Sequence, residues 1–517
     1  MKNKYWDIFY NDTIKNKKLV LSIIFVAFLC FGFTITNYSI GVDDPGANQY
    51  FDFTALTNMI QQGRLTHVLL YMLTGVGYFV PYFNDFLGAA LFSLSSLLYC
   101  SLFQMISDKK INTFCLITFS TVYISYSIIV SKYVYNLDVI PTMLSYCACA
   151  ISIAYSYLFV KNNKKSNLIF AILFLMLSIG SYETFIFLYS SSVLTIFLYK
   201  MIIDNQNIKF KQLFKEGLKY LTILCVSVII YYLLVFIIQN ITGNYKVFNR
   251  LAFVNGTSSI FSKFIDNIFL IPASFIAIKY IPLQEYLIFT IIGGIISIIC
   301  TVKNKSFSPL ITYILLHISN TFIFYFFGGI PVRATQTFSL FISFTAMILA
   351  NYMSKKDLTK KIAIVLVVLI VFIQSADMNM NFYNDYRRSQ KEKFVIDTVA
   401  TDIYRKDATK SVVFISSYDI ENPLFMCKED ENIPVRSLPS IVWALASFNG
   451  FYKNANIDMP VGSPFMFELF KMYGYDSLVK PNEEQVEKAN ELSKDMPVYP
   501  KDGYIKEYDD FIIVKMD

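Results

Sequence analysis

Apolar runs of about 20 residues recur along the first three quarters of this chain, and they decide what it can fold into. They fall at 19–38, 85–105, 111–130, 139–160, 167–181, 185–199, 221–239, 286–301, 308–327, 337–352 and 362–374. At about 1.5 Å of rise per residue, a helix of that length matches the roughly 30 Å hydrocarbon core of a bilayer. A soluble fold needs one apolar stripe per helix and would expose whole apolar cylinders to water here. Of 517 residues, 55% are apolar and 16% charged, against roughly 25% charged in soluble domains. Soluble metabolic enzymes, nucleic-acid binders and disordered scaffolds are excluded. The expected fold is an all-α polytopic membrane protein with about eleven transmembrane helices.

The net charge of +7 does not point to nucleic acid, because the basic residues gather at helix ends, where they report topology. Lys2, Lys4, Lys15, Lys17 and Lys18 precede the first run, which puts the N-terminus in the cytoplasm and the next loop outside. The first run lacks a small-x-small cleavage site and reads as a retained helix, not a signal peptide. Counting from there, the loops assigned inside hold Lys109 and Lys110, the lysines of 161–165 and 200–219, Lys303 and Lys305, and those of 355–361. Two further apolar stretches, 65–83 and 260–281, are expected to be interfacial helices on the outer face, since making either one alone a span inverts the charge bias. The runs at 167–181 and 185–199 are short and should meet at Tyr182 and Glu183 within the outer half of the bilayer.

After about Ala376 charged residues appear throughout, with strand-like runs at 411–416 and 511–515 and helix-like runs at 390–403 and 483–493. The chain therefore divides into a membrane domain, 1–377, and a soluble α/β domain, 378–517, which an odd number of spans places on the outer face. Its single Cys427 suits that compartment. The eight cysteines show no disulfide or zinc spacing, and two histidines, His67 and His317, exclude a histidine-rich metal centre and read as structural.

The residues most suited to chemistry follow the first span. Gly41-Val42-Asp43-Asp44-Pro45-Gly46 sets two adjacent carboxylates at the outer surface. A carboxylate there can act as a general base toward a hydroxyl, and a pair can hold a divalent cation such as Mg or Mn beside a leaving phosphate. The same letters also spell a solvated turn. Arg64, at the outer interface, can bind a phosphate oxygen or simply anchor the interface. Glu183 lies between two apolar runs, where an ionised side chain costs roughly 2.5–3.5 kcal/mol, so it should face a polar cavity or a cation. Arg333 follows Gly328-Gly329-Ile330-Pro331 in an otherwise uncharged outer loop. Lys132, Tyr133, Tyr135 and Asp138 crowd the short loop between the third and fourth spans, where aromatic and polar residues suit sugar stacking but also an interfacial belt.

An acidic pair in the first outer loop, followed about twenty residues later by Gly63-Arg64, resembles the polytopic glycosyltransferases of the GT-C superfamily. The resemblance is to the phage-type serotype-converting O-antigen glucosyltransferases. Gly180-Ser181-Tyr182-Glu183 in a paired-helix break and Pro331-Val332-Arg333 in a late outer loop are similar to positions of that family. The resemblance spans about 19–375; the tail from Met378 carries no matching motif. It implies a bacterial plasma-membrane enzyme that takes a hexose, glucose by family, from a polyprenyl-phosphate donor to a cell-surface polysaccharide. Its partners would be that donor, the acceptor glycan, membrane lipids, a flippase and a donor-synthesising glycosyltransferase. In such an enzyme Asp43 or Asp44 would be the base, Arg64 or Arg333 would hold the phosphate, and Glu183 would orient the sugar or acceptor. Tyr182, Lys132, Tyr135 and Asp138 would line the substrate site. A lipid-linked sugar flippase would show inverted repeats and midplane charges instead, and a polysaccharide polymerase would differ only in its product.

Overall fold

The computed structural model describes residues 4–41, 53–74, 80–107, 111–133, 135–243, 265, 267, 281–327, 334–407, 409–415 and 464–516. In chain order the helices of its larger part are α1 (Lys4–Ile8), α2 (Lys17–Thr36), α3 (Phe53–Gln61), α4 (Leu65–Thr74), α5 (Pro81–Ile106), α6 (Thr113–Ser125), α7 (Val130–Tyr133) and α8 (Asn136–Asn162). Then come α9 (Lys165–Ile179), α10 (Phe185–Ile202), α11 (Phe210–Thr242), α12 (Ile281–Asn304), α13 (Ser308–Phe327), α14 (Gln336–Met353) and α15 (Asp357–Tyr404). Each apolar run of the sequence falls on a helix. Among the described residues, eight helical segments are long and apolar enough to cross a membrane: α2, α5, the segment Thr113–Tyr133, α8, α10, α11, α12 and α15.

One boundary differs from expectation. The stretch 65–83 is not one interfacial helix: α4 ends at Thr74, and Pro81 opens α5 at a first-turn position where its missing N–H costs nothing. The other expected interfacial helix, 260–281, lies almost wholly outside the described residues, as do Lys109 and Lys110 and Cys427. Of that stretch Asn267 is described, and its side-chain amide donates to the Tyr325 carbonyl at 2.8 Å.

The bundle core is aromatic and dense. Phe92 lies between Tyr123 and Tyr146, and Phe103 stacks on both Tyr199 and Phe344. Without a hydrophobic drive between helices in lipid, close approach depends on small residues. On α5 and α8 these include Gly88, Ser95, Ser101, Ser145, Cys149 and Ser152, all but Gly88 being within 1% of full burial. A Cβ on Gly88 would lie 2.3 Å from Val139. Ser101 and Ser145 donate to carbonyls one turn back, Leu97 and Pro141, each at 2.9 Å, and Ser152 donates to the Ala171 carbonyl of α9 at 2.7 Å, so these buried hydroxyls are satisfied inside the bundle.

Helix α15 runs 48 residues without a glycine or proline, roughly 72 Å at 1.5 Å per residue. It passes unbroken through 378 and out of the apolar layer. Its last turns join the C-terminal unit, which comprises β1 (Ser411–Ile415), α16 (Pro464–Met472), α17 (Glu483–Leu492), β2 (Ile505–Glu507) and β3 (Phe511–Lys515). The sheet order is β1-β3-β2, with β1 parallel and β2 antiparallel to β3. Side chains alternate across a strand. Val412, Phe414, Ile512 and Val514 therefore pack on Ile396, Val399 and Ile403 of α15, and Val413, Phe511 and Ile513 pack on Ala489 and Met496. Ile40, which follows α2, is buried in the first of these two cores. The C-terminal unit thus sits at the end of the bundle where the first loop begins.

Candidate active site

At that end the chain breaks between α9 and α10. Gly180 allows a close crossing: the Thr66 N–H donates to the Gly180 carbonyl at 3.0 Å, and the Thr66 hydroxyl to Leu177 at 2.6 Å. A Cβ on Gly180 would stand 2.6 Å from Thr66 Oγ1 and 3.1 Å from the Met176 carbonyl. Gly180→Ala should therefore cost about 1–3 kcal/mol, read as a lower thermal midpoint of the purified protein. Adding Thr66→Ala, which removes the nearest atom, should recover part of the loss.

Arg64 follows Gly63, whose φ of +68° closes the turn after α3 at little cost for glycine. The Tyr231 hydroxyl donates to the Gly63 carbonyl, and the Gln239 amide to Ile60 at 3.1 Å, so the C-terminal half of α11 props this turn. The Arg64 guanidinium reaches Asp138 at 3.0 Å and 3.3 Å. Asp138 stands in the first turn of α8, where the helix dipole favours a carboxylate. His67, one turn after Arg64, places Nε2 at 3.0 Å from the same carboxylate. Burial pushes the His67 imidazole below its usual range, against the opposite pull of Asp138. It is therefore neutral near pH 7, with Nε2–H donating to Asp138; among the described residues nothing bonds to its buried Nδ1.

Over this group lies the ring of Tyr182. Arg64 Cζ sits 5.7 Å and Lys132 Nζ 5.6 Å from its centroid, both within cation–π range. Lys132 is buried in the short helix α7, and Tyr135 is buried as the residue before α8. Neither Lys132 nor Asp138 is on a loop, contrary to expectation; both are held by helical turns. Four residues chosen from the sequence, Arg64, Lys132, Asp138 and Tyr182, thus meet in one cluster. Glu183 is half-buried beside Tyr182 in the break. His67 was read as structural, and nothing in its sequence neighbourhood reveals Asp138, 71 residues away, as its partner. Asp43, Asp44 and Arg333 lie outside the described residues.

The loop that carries the acidic pair is tied down before it leaves. Ser39 donates to Asp385, Arg388 Nη2 to the Ile40 carbonyl at 2.7 Å, and Asn136 to the Ser39 carbonyl at 3.2 Å. Asn136 is two residues from Asp138. Two acids not singled out above, Asp85, which is buried, and Glu285, which is half-buried, also lie at this end: Thr34 donates to Asp85 at 2.6 Å, and Gln374 to Glu285 at 2.9 Å. A carboxylate at the very start of an apolar run was the available signal for Asp85 and Glu285. Among the described residues no group of three or more His, Cys, Asp or Glu could hold a metal ion.

In comparison with known proteins, the model of the family described as Glucosyl transferase GtrII matches residues 32–350. That segment contains the whole Arg64, His67, Lys132, Asp138 and Tyr182 cluster. No curated protein and no solved structure matches the chain.

Proposed function

The chain belongs to the GtrII glucosyl transferase family, and on that premise we propose that it transfers glucose from a polyprenyl-phosphate carrier to a cell-surface polysaccharide. The transfer takes place on the outer face of the bacterial cytoplasmic membrane. The observation that carries this reading is the Tyr182 ring flanked by the Arg64 guanidinium and the Lys132 ammonium at the lysine-poor end of the bundle. An aromatic face suits a sugar and the cations suit its phosphate. The first outer loop leaves from the same place. Asp43 follows Ile40 by three residues, at most about 11 Å of extended chain.

In this reading the lysine-rich loops face the cytoplasm, and the carrier's prenyl chain lies in the bilayer with its phosphate at the outer boundary. Asp43 or Asp44 takes the proton of the acceptor hydroxyl. The acceptor oxygen forms a bond to the anomeric carbon from the face opposite the phosphate. The bond from that carbon to the phosphate oxygen breaks, and its electron pair leaves on the phosphate, where Arg64, Lys132 and Arg333 stabilise the charge. The anomeric configuration inverts, and the proton passes from the carboxyl group to water. Glu183 orients the sugar. Asp138 keeps Arg64 and His67 in place through charge-assisted hydrogen bonds.

The test uses purified protein in reconstituted membranes with radiolabelled polyprenyl-phosphate glucose and cell-surface glycan. Label should pass to the glycan as a single added sugar. A lengthened glycan would instead indicate a polymerase, and carrier changing leaflets without transfer would indicate a flippase. For the phosphate role, Arg64→Ala and Arg333→Ala should each raise the donor KM by about 10- to 100-fold, the cost of one charged hydrogen bond. Unchanged donor affinity in both would remove these arginines from the donor site.

A further inference from the structure

At the opposite end of the bundle, four helix ends line an open cavity of about 480 Å³, formed by Ile106, Tyr157, Val160, Lys161, Lys200, Gln206, Gln212, Lys215, Glu216 and Lys219. Positive-inside bias explains why lysines gather at this end, but it does not require them to converge on one concavity. Four ammonium groups face a single carboxylate here. Lys200 Nζ lies 3.9 Å from Glu216, with the lysine side chain only 15% exposed. Lys161 and Lys200 also approach the same ring, Tyr157, at 5.9 Å and 5.0 Å. Glu216 is itself engaged by the Gln212 amide at 3.0 Å. Such an excess of like charge is unfavourable without an anion.

The position of the cavity narrows the class of anion. Gln212, Lys215, Glu216 and Lys219 share one face of the start of α11. On its opposite face Phe210, Phe214 and Leu218 are apolar and exposed. A helix with lipid-facing phenylalanines on one side and lysines on the other lies at the membrane boundary. That is the level at which lipid phosphates are found. The volume suits a headgroup. The first turn of α11 adds N-terminal dipole charge, and Lys209 at its N-cap makes no side-chain cap.

We propose that this cavity is a phosphate-binding site at the lysine-rich end, occupied by the headgroup of an anionic phospholipid. It is separate from the transfer site, and nothing in the proposed reaction needs it. The test is lipid retention by the full-length protein. Wild type is purified in detergent, exposed to dioleoyl-phosphatidylglycerol or dioleoyl-phosphatidylcholine, and examined by native mass spectrometry. A parallel arm titrates inorganic phosphate and glycerol 3-phosphate by thermal shift. Phosphatidylglycerol should be retained in preference to phosphatidylcholine. Lys161→Gln with Lys215→Gln should weaken that retention about 30-fold, at about fivefold per lysine. Lys355→Gln with Lys360→Gln, lysines of the same end that lie away from the cavity, should leave it unchanged. Stabilisation by inorganic phosphate, lost in the cavity variant and without lipid preference, would keep the phosphate site but assign it to a soluble anion. Equal retention of both lipids by all three proteins, with no phosphate effect, would overturn the proposal. A double variant that misfolds is replaced by Lys215→Gln alone, with an expected loss of about fivefold. Neither readout uses sugar transfer, so the result stands whether or not the transferase reading holds.

Discussion

Replacing Asp44 or Asp43 with asparagine is expected to lower the turnover of glucose transfer by about 10²- to 10⁴-fold, the usual contribution of a positioned general base. Asparagine keeps the shape of aspartate but cannot take a proton near pH 7. The acceptor hydroxyl is a poor nucleophile until its proton starts to leave, so the loss belongs to kcat and not to the donor KM. Both variants should insert and melt like wild type, because Ser39 and Ile40, where the first loop starts, are held by Asp385, Asn136 and Arg388. The carboxylate whose loss costs more is the base. Full activity in both variants would remove the pair from the chemistry and shift attention to Glu183. Turnover and donor KM measured in the reconstituted assay separate these outcomes.

The contrast between what could be read from the sequence and what could not follows the range of the interactions. Local apolar runs are visible one helix at a time, and each of them is helical. The break at Gly180 to Thr184 was also legible, because a glutamate and a glycine between two short runs cannot continue a lipid-facing helix. Strands 411–415 and 511–515 announced themselves by β-branched residues, whereas Ile505–Glu507, with a lysine and a glutamate in three residues, did not. The composition change near Ala376 read as a domain boundary, yet α15 crosses it. No glycine or proline lies there to stop a helix, and the switch from lipid to protein neighbours needs no break in the backbone. The candidate cluster was legible as residue types but not as an arrangement. Arg64 and Asp138 are 74 positions apart, and only the packing of α4 against the start of α8 and the end of α9 makes them partners. Arg388 and Glu392 were the least visible of all. In a charged stretch such residues normally face water, and here they are among the most buried charges in the chain.

That burial makes Arg388→Ala the substitution with the largest expected effect on stability. Arg388 Nε and Nη2 donate to Asp385 at 3.1 Å and 2.9 Å, Nη1 to Glu392 at 3.3 Å, and Nη2 also to the Ile40 carbonyl at 2.7 Å. Glu392 is fully buried and also accepts from the Tyr473 hydroxyl at 3.2 Å. Truncating the arginine strands two buried carboxylates, a change that costs about 3–5 kcal/mol in comparable buried pairs. Thermal melting in detergent should show a clearly lower midpoint. Arg388→Lys should fall between the two, since a compact ammonium cannot reproduce a planar fork that serves three acceptors. Neutralising the whole group, with Arg388→Met, Asp385→Asn and Glu392→Gln together, should recover much of the stability, because the penalty lies in unpaired charge and not in the lost pair itself. Activity should not recover with it. Arg388 and Asp385 hold Ile40 and Ser39, and Asp43 follows Ile40 by only three residues, so the triple variant should fold yet turn over slowly at an unchanged donor KM. A triple variant that regains both stability and turnover would show that this clasp braces the C-terminal unit alone and does not position the acidic pair.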